Sequence, residues 1–240
     1  MNPHAATGYF LMTYRNTHHL RIVHASSVLC IAALLVACSS GPKVPDWQLE
    51  SKGSVERAVT AYLEGDSRVE AVEFARARSE VSSTGRIDLI ARAELVRCAS
   101  HVASLVFEPC AGFERLRLDA APAEIAYADY LAGKPTQTAL LPEPQRSAAS
   151  GSEAAIKAMT DPLSKLVAAG AAFQAGRGSP ALVQIAVDAA SSQGWRRPLL
   201  AWLGVQASLA DKAGDSGEAA RIRRRIELTQ NNKPAAAPVR

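Results

Sequence analysis

The side chains in this chain that could do chemistry are few, and most stand alone. Cys98 and Cys110 lie twelve positions apart. That spacing matches no metal-ligand pattern, so the pair reads as a disulfide, or else as two core thiols. Geometry constrains the disulfide. If the helix carrying Cys98 ran on to Val106, Cys98 would sit about 12 Å back along the axis, at a rise of 1.5 Å per residue. Val106-Phe107-Glu108-Pro109 must then return extended to bring Cys110 level with Cys98. His101 follows Ser100 directly, and neighbours on a helix point about 100° apart. The two cannot form a nucleophile–base couple. His101 reads instead as a satisfied residue at the edge of an apolar stripe, with Glu94 on the same face. The acids are scattered among arginines at solvent-face positions, so no glycosidase-type carboxylate pair stands out.

The elements that place these residues begin with a segment of another kind. Val28 to Ala37 is an apolar run, preceded by Arg15 and Arg21 and by no acid before Asp46. It is shorter than the roughly 20 residues of a spanning helix, and it closes on Leu35-Val36-Ala37-Cys38. These four residues resemble the lipobox of bacterial lipoproteins. The resemblance implies cleavage before Cys38, a diacylglycerol on its sulfur and a further acyl chain on the new amino terminus, an anchor that hardly dissociates. Residues 1–37 would then be a signal peptide, with Met12 as a start of more ordinary length than Met1. Ser39 stands where an Asp commonly retains such proteins at the inner membrane. The expected location is therefore the outer membrane, facing the periplasm, and the covalent lipid is the only cofactor expected. The competing reading is a buried apolar helix ending in a core cysteine.

Processing would leave His101 as the sole histidine and would remove Cys30. It would also cut the formal charge from +4 to +2, because Arg15 and Arg21 leave with no acid. That charge and that compartment exclude nucleic acid as a partner. An oxidising compartment also favours the Cys98–Cys110 disulfide, which would constrain the unfolded chain by roughly 3 kcal/mol.

Residues 38–45 read as an acylated tether rich in Ser, Gly and Pro. Helical periodicity follows, with many Ala, Leu, Arg and Glu residues. A first helical lobe, 46–133, holds helices at Trp47 to Glu64, with Val55, Val59, Tyr62 and Leu63 on one face, and at Arg68 to Ser83. A third helix follows Gly85 with the stripe Ile87, Ala91, Leu95, Cys98, Val102 and Leu105. Pro109 and Pro122 suit first helical turns and open segments to Leu118 and Ala132. Residues 134–151 hold Pro135, Pro142 and Pro144 and read as a linker loop. The second lobe, 152–230, carries helices at Glu153–Met159, Pro162–Ala175, Pro180–Ser192, Arg197–Lys212 and Ser216–Gln230. Residues 231–240 read as a disordered tail.

The fold class expected is all-α, with stacked antiparallel helix pairs in two lobes joined by the Pro-rich loop. Gly65-Asp66, Glu70-Ala71 and Phe74-Ala75-Arg76-Ala77 resemble the turn and second helix of a tetratricopeptide-type repeat, and Gly214-Asp215-Ser216-Gly217-Glu218-Ala219 is similar. The resemblance implies an α-solenoid in which the glycine turns the chain and Ala71 or Ala219 lets two helices approach closely. Gly214-Asp215-Ser216-Gly217 also matches the tetrapeptide around the nucleophile of trypsin-like proteases. An N-cap by Asp215 or Ser216 explains it better. Gly176-Arg177-Gly178-Ser179-Pro180 reads as C-cap, N-cap and first-turn proline, not as a phosphate loop.

Two features could meet a partner. Trp195 and Trp202, seven residues apart, fit a core or a peptide-gripping groove. Arg221, Arg223, Arg224 and Arg225 fit a solvated face or contact with an acidic partner or anionic lipid. The function expected is a non-enzymatic, membrane-anchored scaffold whose Trp195, Trp202, Arg221, Arg224 and Arg225 contact an envelope protein. No metal and no small-molecule substrate is expected. The alternatives are an accessory acting on cell-wall glycan and a purely structural spacer.

Overall fold

A computed structural model describes residues 43–231. The leader, Cys38, most of the tether and residues 232–240 lie outside the described residues. Within them the chain is all-α: α1 (Asp46–Glu64), α2 (Ser67–Ser82), α3 (Ile87–Ala103), α4 (Ala111–Glu114), α5 (Pro122–Leu131), α6 (Glu143–Arg146), α7 (Glu153–Ala158), α8 (Pro162–Gln174), α9 (Pro180–Gln193), α10 (Arg196–Lys212) and α11 (Ser216–Asn231), with 3-10 turns at Arg117–Asp119 and Thr138–Leu140. Successive long helices pack pairwise: α1 on α2, α8 on α9, α9 on α10 and α10 on α11. None is long and apolar enough to cross a membrane.

Local chemistry sets the boundaries. Gly65 takes a left-handed φ of 94° to close α1, and Asp66 caps α2 by accepting from the amides of Arg68 and Val69. Ser179 caps α9 by accepting from Leu182, with Pro180 in its first turn. Asp215, not Ser216, caps α11 by accepting from Glu218. Pro109 departs from expectation: it precedes the one-turn α4 instead of opening a helix, because the segment from Leu105 to Cys110 is committed to turning the chain back.

α3 is the hub, in contact with α1, α2, α5 and α8. Its burial exceeds the single stripe expected. Ala91, Ala93, Glu94, Leu95, Ala99, Ser100, Val102 and Ala103 are all buried, since neighbours cover more than one face. Its end is a Schellman motif. Leu105 donates to the Val102 carbonyl and Val106 to that of His101, both at 3.0 Å. Leu105 holds a φ of 59°, left-handed and rare for a residue with a Cβ. This reversal carries the chain back so that Cys98 and Cys110 form a disulfide with their Cα atoms 5.8 Å apart. The helix therefore ends at Ala103, short of Val106.

α1 and α2 correct the expected faces. The buried set on α1 is Ser51, Ser54, Ala58, Ala61, Tyr62 and Leu63, while Val55 and Val59 are half-covered. Small side chains face α2 because the two helices lie close. On α2 the buried positions are Glu70, Phe74, Ala77 and Val81, and Ala71 is exposed. Ala219 lies five residues past Gly214 and is buried in α11. The residue five past Gly65 is Glu70, so a carboxylate occupies the position that the repeat resemblance gives to an alanine.

The two halves share one apolar core, which runs from Ala91 to Ile222 and includes Leu141 and Ala148 of the Pro-rich segment. That segment is stitched down. Tyr130 Oη donates to Gln145 Oε1 at 3.1 Å, and Gln145 Nε2 donates to the Ser164 carbonyl at 3.2 Å. It is an ordered layer with its own short helices instead of a free linker, because Leu141, Gln145 and Ala148 bury themselves between α5 and α8.

α3 and α8 cross at Gly170, where an added Cβ would overlap the Val102 carbonyl oxygen and crowd its side chain. Gly170→Ala should therefore cost about 1–3 kcal/mol as overpacking. Gly204, inside α10 with open space around it, gives the opposite sign, since Gly204→Ala should gain roughly 0.5–1 kcal/mol. Urea unfolding of the two variants checks both, and equal midpoints would contradict the α3–α8 contact.

Candidate functional site

Three buried glutamates organise the charged groups around α3. Glu70 accepts from Arg97 Nε at 2.7 Å. Glu124 accepts from Arg92 Nε at 2.9 Å. Glu94 pairs with Arg78 and packs on Gly112, where a Cβ would collide with its carboxylate. Each acid is buried while its arginine reaches solvent, so one end of each pair stays hydrated. Pairing of this kind satisfies an otherwise costly buried charge.

His101 differs from its expected setting. Its ring stacks on Tyr62 of α1, with centroids 4.4 Å apart. Arg197 of α10 lies over the Tyr62 ring at 4.2 Å. The same arginine donates from Nε to the Tyr62 carbonyl at 2.6 Å and from Nη2 to Ser67 Oγ at 2.7 Å. Glu94, expected beside His101, is instead turned toward Arg78. Nε2 of His101 is buried with no hydrogen-bond partner. Burial holds its pKa below the ordinary value, and Arg97 and Arg197 push the same way against Glu70 and Glu108. Burial likewise raises the pKa of Tyr62.

A cleft of about 570 Å³ opens beside the disulfide, lined by Phe107, Cys110, Glu114, Arg117, Lys134 and Gln174 among others. Its two cations are both paired. Arg117 makes a two-point pair with Glu114 at 2.7 and 2.8 Å and reaches Asp129 at 3.4 Å. Lys134 also faces Asp129, at 3.6 Å. The hydrogen bonds from Arg117 hold the Glu114 carboxyl below the usual range. That is the wrong direction for a general acid, which needs a raised pKa.

A second cavity, of about 410 Å³, lies between α3, α5 and the Pro-rich segment. Leu95, Val96, Leu141 and Pro142 form much of its wall, with Tyr127, Glu124, Arg92 and Arg146 adding polar groups. Pro122 opens α5 and puts Glu124 at the third helical position, where the positive helix end favours a carboxylate. Oε2 of Glu124 has no hydrogen-bond partner. This residue carried no distinguishing signal in the sequence. Only the fold sets it against α3.

Trp202 is fully buried. Its Nε1 donates to the Ala103 carbonyl at 3.0 Å, and Phe173 meets it edge-on with centroids 5.6 Å apart. This corrects its assignment as a partner contact, since no surface of it reaches solvent. Trp195 is half-buried at the N-cap of α10. In the arginine run, Arg221 pairs with Glu218, and Arg223 with Asp211 at 2.6 Å. Arg224 is exposed and Arg225 half-covered, neither with an acidic partner among the described residues. Also among the described residues, no group of three or more His, Cys, Asp or Glu is placed to hold a metal ion. No family model matches this chain, and no curated protein or solved structure matches it.

The half-buried His101, whose pKa burial holds low, makes stability depend on pH. Its folded pKa lies below the unfolded value of about 6.5, so the unfolded chain binds the proton more readily. Stability should be full above that value and fall as pH drops through it. His101→Gln should flatten the slope of unfolding free energy between about pH 5 and 7, measured by urea titration at several pH values. An unchanged slope would refute the assignment.

Proposed function

We propose that this chain is a lipid-anchored envelope protein, held by acylated Cys38 at the outer membrane and facing the periplasm, whose helical array is a non-enzymatic scaffold for another envelope protein. The observation that carries the reading is Leu35-Val36-Ala37-Cys38 closing an apolar run behind Arg15 and Arg21. Ser39 supports the outer over the inner membrane. The Gly-turned hairpins α1–α2 and α10–α11 support a tetratricopeptide-like array. Reactive side chains are engaged structurally: His101 is half-buried and stacked on Tyr62, and Glu114 is committed to Arg117. Arg224 and Arg225 on α11 offer positive charge to an acidic partner. The lipid holds the array at one surface, so a partner anchored nearby meets it at high effective concentration.

Cells fed radiolabelled palmitate test the anchor. The wild-type chain should carry label and sediment with the envelope, and Cys38→Ser should lose both. Label surviving in the variant, or an uncleaved leader in the wild type, would sink the reading. Cys98 and Cys110 should resist alkylation in cells until a reductant is added, as an oxidising compartment requires. Crosslinking in cells should trap a discrete envelope protein on the anchored chain, and recovery of the chain alone would count against the scaffold.

A further inference from the structure

The 410 Å³ cavity between α3, α5 and the Pro-rich segment is lined by two arginines and one acid. Arg92 answers that acid, giving Nε to Glu124 Oε1 at 2.9 Å. Arg146 gives Nε to the Leu141 carbonyl at 2.9 Å and makes no ion pair among the described residues, so one positive charge is left over. The terminal amino groups of both arginines have no hydrogen-bond partner among the described residues. The unbonded Oε2 of Glu124 is sealed away from the cavity and takes no part. Tyr127 supplies a further donor. It is half-buried, stacks on Tyr130 and lines the cavity. Its hydroxyl has no hydrogen-bond partner among the described residues, yet it is not sealed as Glu124 Oε2 is. Burial pushes its pKa up, so the hydroxyl keeps its proton. A tyrosine in such a setting ordinarily finds a partner for its O–H. The rest of the wall is apolar, chiefly Leu95, Val96, Leu141 and Pro142. The volume lies within the range of small-ligand sites.

We propose that this cavity binds a free fatty acid. The carboxylate accepts from the Arg146 guanidinium and the Tyr127 hydroxyl, and the hydrocarbon chain lies on Leu95, Val96, Leu141 and Pro142. Charge complementarity selects the head. The lining is one positive charge in excess, which a single carboxylate balances, and guanidinium forks suit carboxylates. A cation would stand beside an unanswered arginine, and a doubly charged phosphate would leave a negative charge facing Glu124. The wall selects the tail. Its apolar side chains offer no hydrogen bonds, so a peptide laid there would strand backbone groups, whereas a hydrocarbon strands none. A phospholipid head group would likewise need polar partners beyond its phosphate. The inference goes beyond the scaffold reading, since it gives the helical array a small-molecule ligand of its own.

The test illuminates the full chain, held in zwitterionic nanodiscs, with a diazirine-bearing decanoate and maps the photolabel by peptide mass. Label should fall on α3 near Leu95 and on the segment from Leu140 to Arg146. At equal free concentration, plain decanoate should displace it at least roughly tenfold better than decanol, which has the same chain and no charge. Arg146→Gln, checked for an unchanged melting curve, should weaken decanoate at least about tenfold. Tyr127→Phe removes only the hydroxyl and should weaken it roughly fivefold. It decides alone if Arg146→Gln melts early. The proposal is overturned if the label falls elsewhere or nowhere, if decanol or lysophosphatidylglycerol competes as well as decanoate, or if a folded variant binds like the wild type. None of these outcomes bears on the acyl anchor, which palmitate incorporation at Cys38 tests separately.

Discussion

A helix that ends inside a protein must find partners for its last carbonyl groups, and in this fold that requirement falls on α3. The His101 and Val102 carbonyls are taken by the returning chain at Ser104, Leu105 and Val106. The Ala103 carbonyl is taken by the indole of Trp202, from α10, across 99 positions of sequence. Burying a tryptophan this fully requires its N–H to be satisfied, and burying the helix end requires a donor. Each solves the other's problem. Phe173 of α8 closes on Trp202, and Gly170 of the same helix lets the Val102 carbonyl come near. The junction thus draws α3, α8 and α10 to one point. The disulfide ties the outgoing strand of that turn back to α3, which supports the left-handed Leu105.

Around this apolar junction the structure arranges charge economically. Glu70, Glu94 and Glu124 are buried against arginines that keep contact with water. Such pairs add little net stability relative to a well-packed apolar contact, yet losing one partner leaves a buried charge exposed to its full desolvation cost. They therefore act mainly to fix register: a slip of α2 or α5 against α3 would strand a carboxylate. Arg197 extends the same logic to the N-terminal hairpin. It caps the carbonyl end of α1 at Tyr62 and bonds Ser67 at the start of α2. The two cavities differ in how far this economy is completed. In the cleft beside the disulfide Arg117 and Lys134 are paired with Glu114 and Asp129. In the cavity beside Glu124, Arg92 is paired with that acid, while Arg146 makes no ion pair among the described residues.

Much of the fold was legible because its signals are local. Helix ends at Gly65, Asp66, Ser179, Pro180 and Asp215 depend on residues within one turn of each other, so the sequence contains everything that decides them. The disulfide was legible from spacing and the extended return. What misled were quantities that depend on neighbours. Val55 and Val59 look like a core face of α1, and Val55 does pack beside Ala58 on Phe74, but both stay half-covered while Ser54, Ala58 and Ala61 are the side chains buried fully. Ala71 looks like the close-approach residue of a repeat, and one additional residue after Gly65 turns Glu70 inward in its place. The Pro-rich segment reads as a linker by composition, yet Leu141, Gln145 and Ala148 anchor it in the core.

The chain's own residues determined the all-helical class and most of the ends of its long helices, and they favoured the pairing of Cys98 with Cys110. These follow from backbone conformations and hydrogen bonds that close within a few residues. Tertiary structure alone decided that Trp202 belongs to the core, that His101 stacks on Tyr62, and that Glu124 faces a cavity with an oxygen unsatisfied. Those outcomes depend on which helices meet and at what depth, and a side chain's burial, charge state and unmet hydrogen bonds have no value until its neighbours across the core are in place.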